Sequence, residues 1–484
     1  MSRVGDDRTA GSNQLSRGGE VTTDEPEGHD LNPSMAEPAS NENTVDLTQQ
    51  NTPSLNADVE NLSVRPRRSW TRLAIWGFAL AFFVYMILLP TAGWVINRFN
   101  PPELSGEIED MSLNEFIRAK SVEAISALMF FVLGATVGSF LNVVVYRLPQ
   151  RHSVFFKRSR CPDCATPIQG RDNIPILGWL LLNGGCRACD RPIAGRYPMV
   201  ELLTGTLFLI LYFVELLSGG QNIPERLPNF HRGITWILLF PKWDLIGLYF
   251  YHGLGLSILI SSMLIDIDRQ RISLLAKTGI AALLLIPGVV YPDLLPIPFI
   301  DSVQRWVISP WLLGVLQCSI GGVLAGVIGW GTLLGISSSR ISKPVGQIPT
   351  FSVILGISFG WQAALTIMIL GLALRLITMP VYRKRTGSHL LTVNLFLATV
   401  IHLVIWRQAI EFGGSWWPGH NTSVLGWIVI AFVFVSLIVA NRKLAERLES
   451  SQATHEPPID DEAELSEATI GANANRSHHT PDST

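Results

Sequence analysis

Charge is scarce in this chain. Asp, Glu, Lys and Arg make up 16% of its 484 residues, against 48% hydrophobic, where a soluble domain carries about a quarter charged. An ordinary water-facing surface over the whole molecule is thereby excluded. Period-2 alternation is missing from the apolar runs, which excludes a membrane barrel. An apolar segment at the very start is missing as well. The first such run begins more than 70 residues in, so no secretory signal peptide is expected. Cysteine is rare, with five in all, and no aspartate occurs between Asp301 and Asp460. Each of these two shortages bears on the chemistry.

What is present is long apolar text, recurring from about residue 73 to residue 440 beneath a net charge of only −2. Backbone polar groups find no water in a bilayer core, so such runs span as helices. The fold class expected is all-α: a polytopic helical membrane protein with a small four-cysteine metal-binding loop. Spans are read at about 73–96, 122–146, 198–217, 246–266, 276–292, 311–336, 351–380, 391–406 and 423–440. The stretch 351–380 is long for one crossing. It is read as a broken hairpin turning near Gly360-Trp361. Residues 1–64 and 447–484 are polar and acidic and are expected to be disordered.

Orientation follows from the basic residues. Residues 65–72 hold four arginines, and the loop 147–197 holds nine Lys/Arg against three Asp. Both are placed on the cytoplasmic side of the membrane, with the N-terminal tail. Lipid-facing topology accounts for this basic loop more economically than nucleic-acid binding.

Four of the five cysteines sit in that loop. Cys161 and Cys164 form CPDC; after 21 residues, Cys186 and Cys189 form CRAC. Two such clips supply the four thiolates of a closed tetrahedral Zn²⁺ site, structural because no position is left for water. A pair of disulfides is the competing reading, disfavoured where thiols stay reduced. Cys318 lies in an apolar run and reads as a small packing residue. The glycine-rich run 321–335 reads as close helix packing, since no Lys-Ser/Thr follows it. His402 reads as a hydrogen-bonded packing residue, and Trp416 and Trp417 as an interfacial aromatic belt.

The cysteines are framed by three further blocks. Gly138–Pro149 (GSFLNVVVYRLP) precedes them, Asp172–Leu180 (DNIPILGWL) lies between the clips, and Arg196–Thr204 (RYPMVELLT) follows. In this order they closely resemble the N-terminal half of bacterial type IV prepilin peptidases, over about 134–205. Resemblance over 245–405 is weaker. The resemblance implies an intramembrane aspartic endopeptidase that removes leaders from type IV pilin and type II secretion pseudopilin precursors. Many members of that family also methylate the new N-terminus with S-adenosylmethionine. It further implies pilin-like precursor segments as partners. The domain plan that follows is an extra N-terminal span and external segment at 65–120 and a prepilin-peptidase-like domain at 121–217. A membrane-embedded peptidase-like domain then runs over 245–440.

Leader hydrolysis needs two carboxylates, one ionised to activate water and one protonated to donate. Asp266, at a span end in the run Asp266-Ile267-Asp268-Arg269-Gln270-Arg271-Ile272-Ser273, matches the family's first aspartate. Ser273 and Leu274 replace its usual Pro and Asp/Asn. The plain alternative for Asp266 is an interfacial charge reaching water or pairing with Arg269 or Arg271. The second family aspartate sits in a G-x-G-D-x-K motif. Counting back from Trp361 puts Ile348 in its place and Thr350 in that of the lysine. Asp268 points about 200° away from Asp266 on a helix, and Asp244, Asp293, Asp301 and Glu411 are assigned to the other side. Glu446 and Glu449 lie in the tail. The expectation is therefore a prepilin peptidase relative with an incomplete catalytic pair. The alternatives are a non-catalytic homologue that binds pilin or secretion components, and a metal-stabilised membrane scaffold.

Overall fold

The computed structural model describes residues 113–154, 159–224, 226–227, 239–291, 309–336, 347–381, 388–419 and 422–453, with single positions elsewhere. The span expected at 73–96, the tail 1–64 and residues 454–484 lie outside these stretches or almost wholly so. So do Asp293, Asp301 and the basic residues of 337–346 and 382–387.

The described residues are helical. In chain order they form α1 (Leu113–Arg147), a short 3₁₀ turn (Gly170–Asn173) and α2 (Leu177–Leu181). Then come α3 (Arg196–Leu211), continued by a π-helical turn (Tyr212–Leu217), α4 (Trp243–Ile267), α5 (Leu274–Val290) and α6 (Pro310–Ile336). The last are α7 (Ile348–Phe359), α8 (Trp361–Thr378), α9 (Ser388–Gly413) and α10 (Val424–Ala453). Seven of these stretches are long and apolar enough to cross a membrane. Their burial grades from centre to edge. The most apolar window of α4 is 89% buried inside the protein, that of α10 only 11%. Apolar side chains such as Phe432, Ile428 and Val435 on α10 face outward, as lipid-facing positions do.

Local chemistry sets the breaks. Gly360 has φ 87° and ψ 161° and separates α7 from α8, a backbone state open chiefly to glycine. The two legs form the expected hairpin. Gln347, at the start of α7, contacts Asp266. Thr378, at the end of α8, accepts from Asn394, two residues from a second Asp266 partner, Thr392. Both ends of the hairpin thus return to the same end of the bundle. Ser273, where the family has Pro, caps α5 through its hydroxyl, which accepts from Ala276 N at 3.3 Å.

The glycine-rich run packs as expected. A Cβ on Gly356 of α7 would lie 2.1 Å from the Gly321 carbonyl of α6, so these backbones touch. Cys318 is fully buried. One expectation needs correction. α10 runs on to Ala453, into the tail read as disordered from 447. Leu444, Ala445 and Leu448 pack there on Met379 and Leu390, and Arg442 pairs with Glu446 at 3.0 Å. Trp416 is exposed, and Trp417, partly exposed, stacks on His402 at 6.3 Å.

Candidate functional site

The cysteine loop is two copies of one turn. Cys161 N donates to Thr166 O and Ala165 N to Cys161 O; 25 residues on, Cys186 N donates to Arg191 O and Asp190 N to Cys186 O. Isolated bridges repeat the register, Arg160 with Pro167 and Gly185 with Pro192. Ala165 and Asp190, each just after the second cysteine of its clip, take φ 57° and 54°. These two knuckles bring the four Sγ atoms within 4.8 Å of one another. Cys161 lies 3.8 Å from Cys189, and Cys164 3.9 Å from Cys186. A tetrahedron with metal–sulfur bonds of about 2.3 Å has edges of about 3.8 Å, whereas a disulfide needs about 2.05 Å. The thiols are free, and the donor set fits a metal ion.

Hydrogen bonds also set the charge of the cluster. The Thr166 hydroxyl and backbone hold the Cys164 thiol down to about 6. Backbone N–H groups of Ala188 and Cys189 lower Cys186. At Cys189 the backbone bond from Arg191 is outweighed by burial and by the three neighbouring thiols, and the group is pushed up to about 12. Without a cation the cluster therefore keeps protons that a metal must displace.

The family-like blocks fasten this loop to the bundle. Between the knuckles, Arg187 holds Asp172 through two bonds of 2.9 and 2.5 Å, and Trp179 donates to Ile193 O at 3.0 Å. A Cβ on Gly178 would meet the Asp172 carbonyl at 2.2 Å. Ile176 adopts φ 62°, a strained state for a β-branched residue. Its N–H donates to the buried Glu201 carboxylate of α3 at 2.6 Å. Asn142 of α1 reaches Tyr197 O, and Arg196 at the head of α3 grips Asp268 at 2.6 and 2.8 Å. That last pair puts the end of α4 beside the cysteine loop.

Asp266 is the penultimate residue of α4. It is 3% exposed, so its carboxylate does not reach bulk water. Its carboxylate accepts from the Thr392 hydroxyl at 2.8 Å and from Gln347 N at 3.3 Å. The residue after Gln347 is Ile348, fully buried. The position reached by counting back from Trp361 is therefore next in the chain to a residue bonded to Asp266, and its side chain is hydrocarbon. Described acids elsewhere have their own tasks. Asp268 holds Arg196, Asp244 pairs with Arg226 and Glu446 with Arg442. Asp244 lies about 33 Å up α4 from Asp266, and Glu411 about 28 Å along α9 from Thr392, by helix rise.

One polar cluster escaped the sequence reading. Glu215, on the π-helical turn, bonds His252 of α4 at 2.5 Å, both fully buried. They are single polar residues in separate apolar runs, 37 positions apart, and no local spacing announces the pair. His402 lies near it, with Nδ1 3.4 Å from the Thr366 hydroxyl.

The family model for the Bacterial Peptidase A24 N-terminal domain matches residues 132–214, which include the cysteine loop. Among curated proteins, a Myxococcus xanthus "Prepilin leader peptidase/N-methyltransferase" is 55% identical over 82 residues, covering 17% of this chain and 24% of that protein. An Escherichia coli "Type 4 prepilin-like proteins leader peptide-processing enzyme" is 42% identical over 146 residues, covering 23% and 54%. A Neisseria gonorrhoeae "Prepilin leader peptidase/N-methyltransferase" aligns at 28% identity over 321 residues, covering 60% of this chain and 93% of that protein. The chain spans about a quarter to a half of the length of the first relatives it matches. No solved structure matches.

Proposed function

We propose that this chain is a member of the type IV prepilin peptidase family that binds pilin-like or pseudopilin precursor segments with an incomplete peptidase centre. One observation carries the reading: the segment that bonds Asp266 through Gln347 N runs on into buried Ile348, and neither side chain is the second carboxylate that the chemistry asks for. Asp266 alone can hold or orient a water. It cannot also donate the proton that the departing amine requires. Its bonds to Thr392 and Gln347 position it as half of a pair that two like charges at close range would complete by sharing one proton.

The four cysteines are assigned a structural Zn²⁺ on the tetrahedral spacing of their sulfurs, with Cys161, Cys164, Cys186 and Cys189 as ligands. The metal would fix the loop and supply no open coordination position. Asp266 is the residue assigned to what remains of the catalytic pair. The excess of Lys and Arg in the loop supports assigning the knuckles and the Asp266 end to the cytoplasmic face of the inner membrane. The domain plan of the sequence reading is kept, with the N-terminal domain at 121–217 and the membrane-embedded domain at 245–440. S-adenosylmethionine chemistry rests on family resemblance alone.

Leader cleavage tests the reading. Purified protein in detergent is incubated with a pilin-like precursor carrying its leader, alongside Asp266→Asn and Ile348→Asp. The expected outcome is binding without cleavage by the native chain, and leader removal by Ile348→Asp that is lost again when Asp266→Asn is added. Cleavage by the native protein that Asp266→Asn abolishes would show a second acid at work and overturn the proposal. Failure to bind any precursor would instead favour the scaffold reading.

A further inference from the structure

Outside the Asp266 region the bundle buries a second polar centre. His252 lies 14 residues before Asp266 on α4, about 21 Å away by helix rise. Glu215 and His252 bond through one atom each, leaving Glu215 Oε2 and His252 Nε2 without a hydrogen-bond partner. Three further buried atoms around them are in the same condition: Ser358 Oγ on α7, and His402 Nε2 and Trp406 Nε1 on α9. All five residues are at most 3% exposed.

They form one neighbourhood. The His252 ring is 5.1 Å from Phe359 and 6.3 Å from Trp406, which is 5.0 Å from His402. Ser358 faces Gly255, one turn along α4 from His252: a Cβ on Gly255 would meet Ser358 Oγ at 3.0 Å. Four separate elements thus each bring a buried, unbonded polar atom into this neighbourhood. Native interiors pair such groups with protein or with ordered water.

The chemistry of the atoms selects the occupant. A transition-metal ion needs convergent lone pairs, yet among the described residues only the four cysteines bring enough metal-ligating atoms together. The Trp406 indole offers a donor alone, which repels a cation. Donors and acceptors are mixed here: a carboxylate oxygen, an indole N–H, a hydroxyl and two imidazole nitrogens. Water is the small ligand that serves both kinds and makes two to four bonds at once. We propose that Glu215, His252, Ser358, His402 and Trp406 line a closed internal water site within the helical bundle, separate from the Asp266 centre. Its waters link the π-helical turn to α4, α7 and α9.

Hydroxyl-radical footprinting by X-ray radiolysis reads buried water directly, because radicals form from it in place. The full chain in nanodiscs is irradiated and peptides are analysed by mass spectrometry. Phe359 and Phe351 share α7, a ring type and near-complete burial, at 1% and 0% exposed. Phe359 is expected to be modified roughly fivefold or more above Phe351, with Trp406 also labelled, since an ordered water beside a ring supplies radicals that a dry core does not. The double variant Glu215→Leu with His252→Phe is expected to bring Phe359 down to the Phe351 level. Equal modification of Phe359 and Phe351 in the native protein overturns the proposal, whether or not the double variant folds. Labelling of Phe359 that survives in a folded double variant overturns it too.

Discussion

At the scale of single residues, the balance at Asp266 turns on its neighbours. The Thr392 hydroxyl bonds a buried charged acceptor, and such bonds contribute about 1.5–3 kcal/mol net. Thr392→Val is therefore expected to lower stability by about that amount, read by thermal unfolding in detergent, while Thr392→Ser retains most of it. Ser273→Ala removes a helix N-cap and is expected to cost about 1 kcal/mol, with no effect on precursor binding. Asp266 was legible in the sequence because an acid at the end of an apolar run is conspicuous. The identity of residue 348 was legible from its count to Trp361. What the letters could not say was whether the chain brings the two together. That depends on the Gly360 turn and on a contact between residues 81 positions apart.

Among the elements, the cysteine knuckles were the most readable feature, yet their internal symmetry was overlooked. The text C-x-x-C-x-x-P-I occurs at both clips, as Cys161–Ile168 and Cys186–Ile193. Read as a repeat, it announces two superimposable turns before any coordinates exist. Single Cys→Ser changes at any of the four positions are expected to reduce bound zinc well below one equivalent, measured by elemental analysis of freshly reduced protein. Because each ligand must give up its proton, lowering the pH from about 7.5 to about 5.5 should weaken metal retention against a fixed chelator. Retention unaffected by this change would contradict a thiolate site. The α6–α7 pair offers a second test. Gly356 meets the Gly321 backbone directly, so Gly356→Leu must push two helices apart. A loss of at least about 1–3 kcal/mol is expected, the usual cost of overpacking. Glu215 and His252 stayed hidden because each is a solitary polar letter in an apolar helix. Their meeting depends on how α3 and α4 pack.

On the scale of the whole molecule, a family-like N-terminal domain is joined to a helical bundle that buries Asp266. The two are held by contacts of different kinds. Glu201 holds Ile176 from a buried position, while Arg196 and Asp268 meet where both can be wetted, with side chains 42% and 28% exposed. Arg196→Ala is expected to leave zinc content unchanged and to speed amide exchange at the end of α4, near residues 264–268. Unaltered exchange there would mean the tie does not restrain that helix end. Exposed ion pairs weaken as salt rises, and buried hydrogen bonds hardly respond. The loop is thus hung on a permanent pivot and a releasable latch. Raising ionic strength alone should therefore free the cysteine knuckles from the α4 terminus while they stay attached to α3.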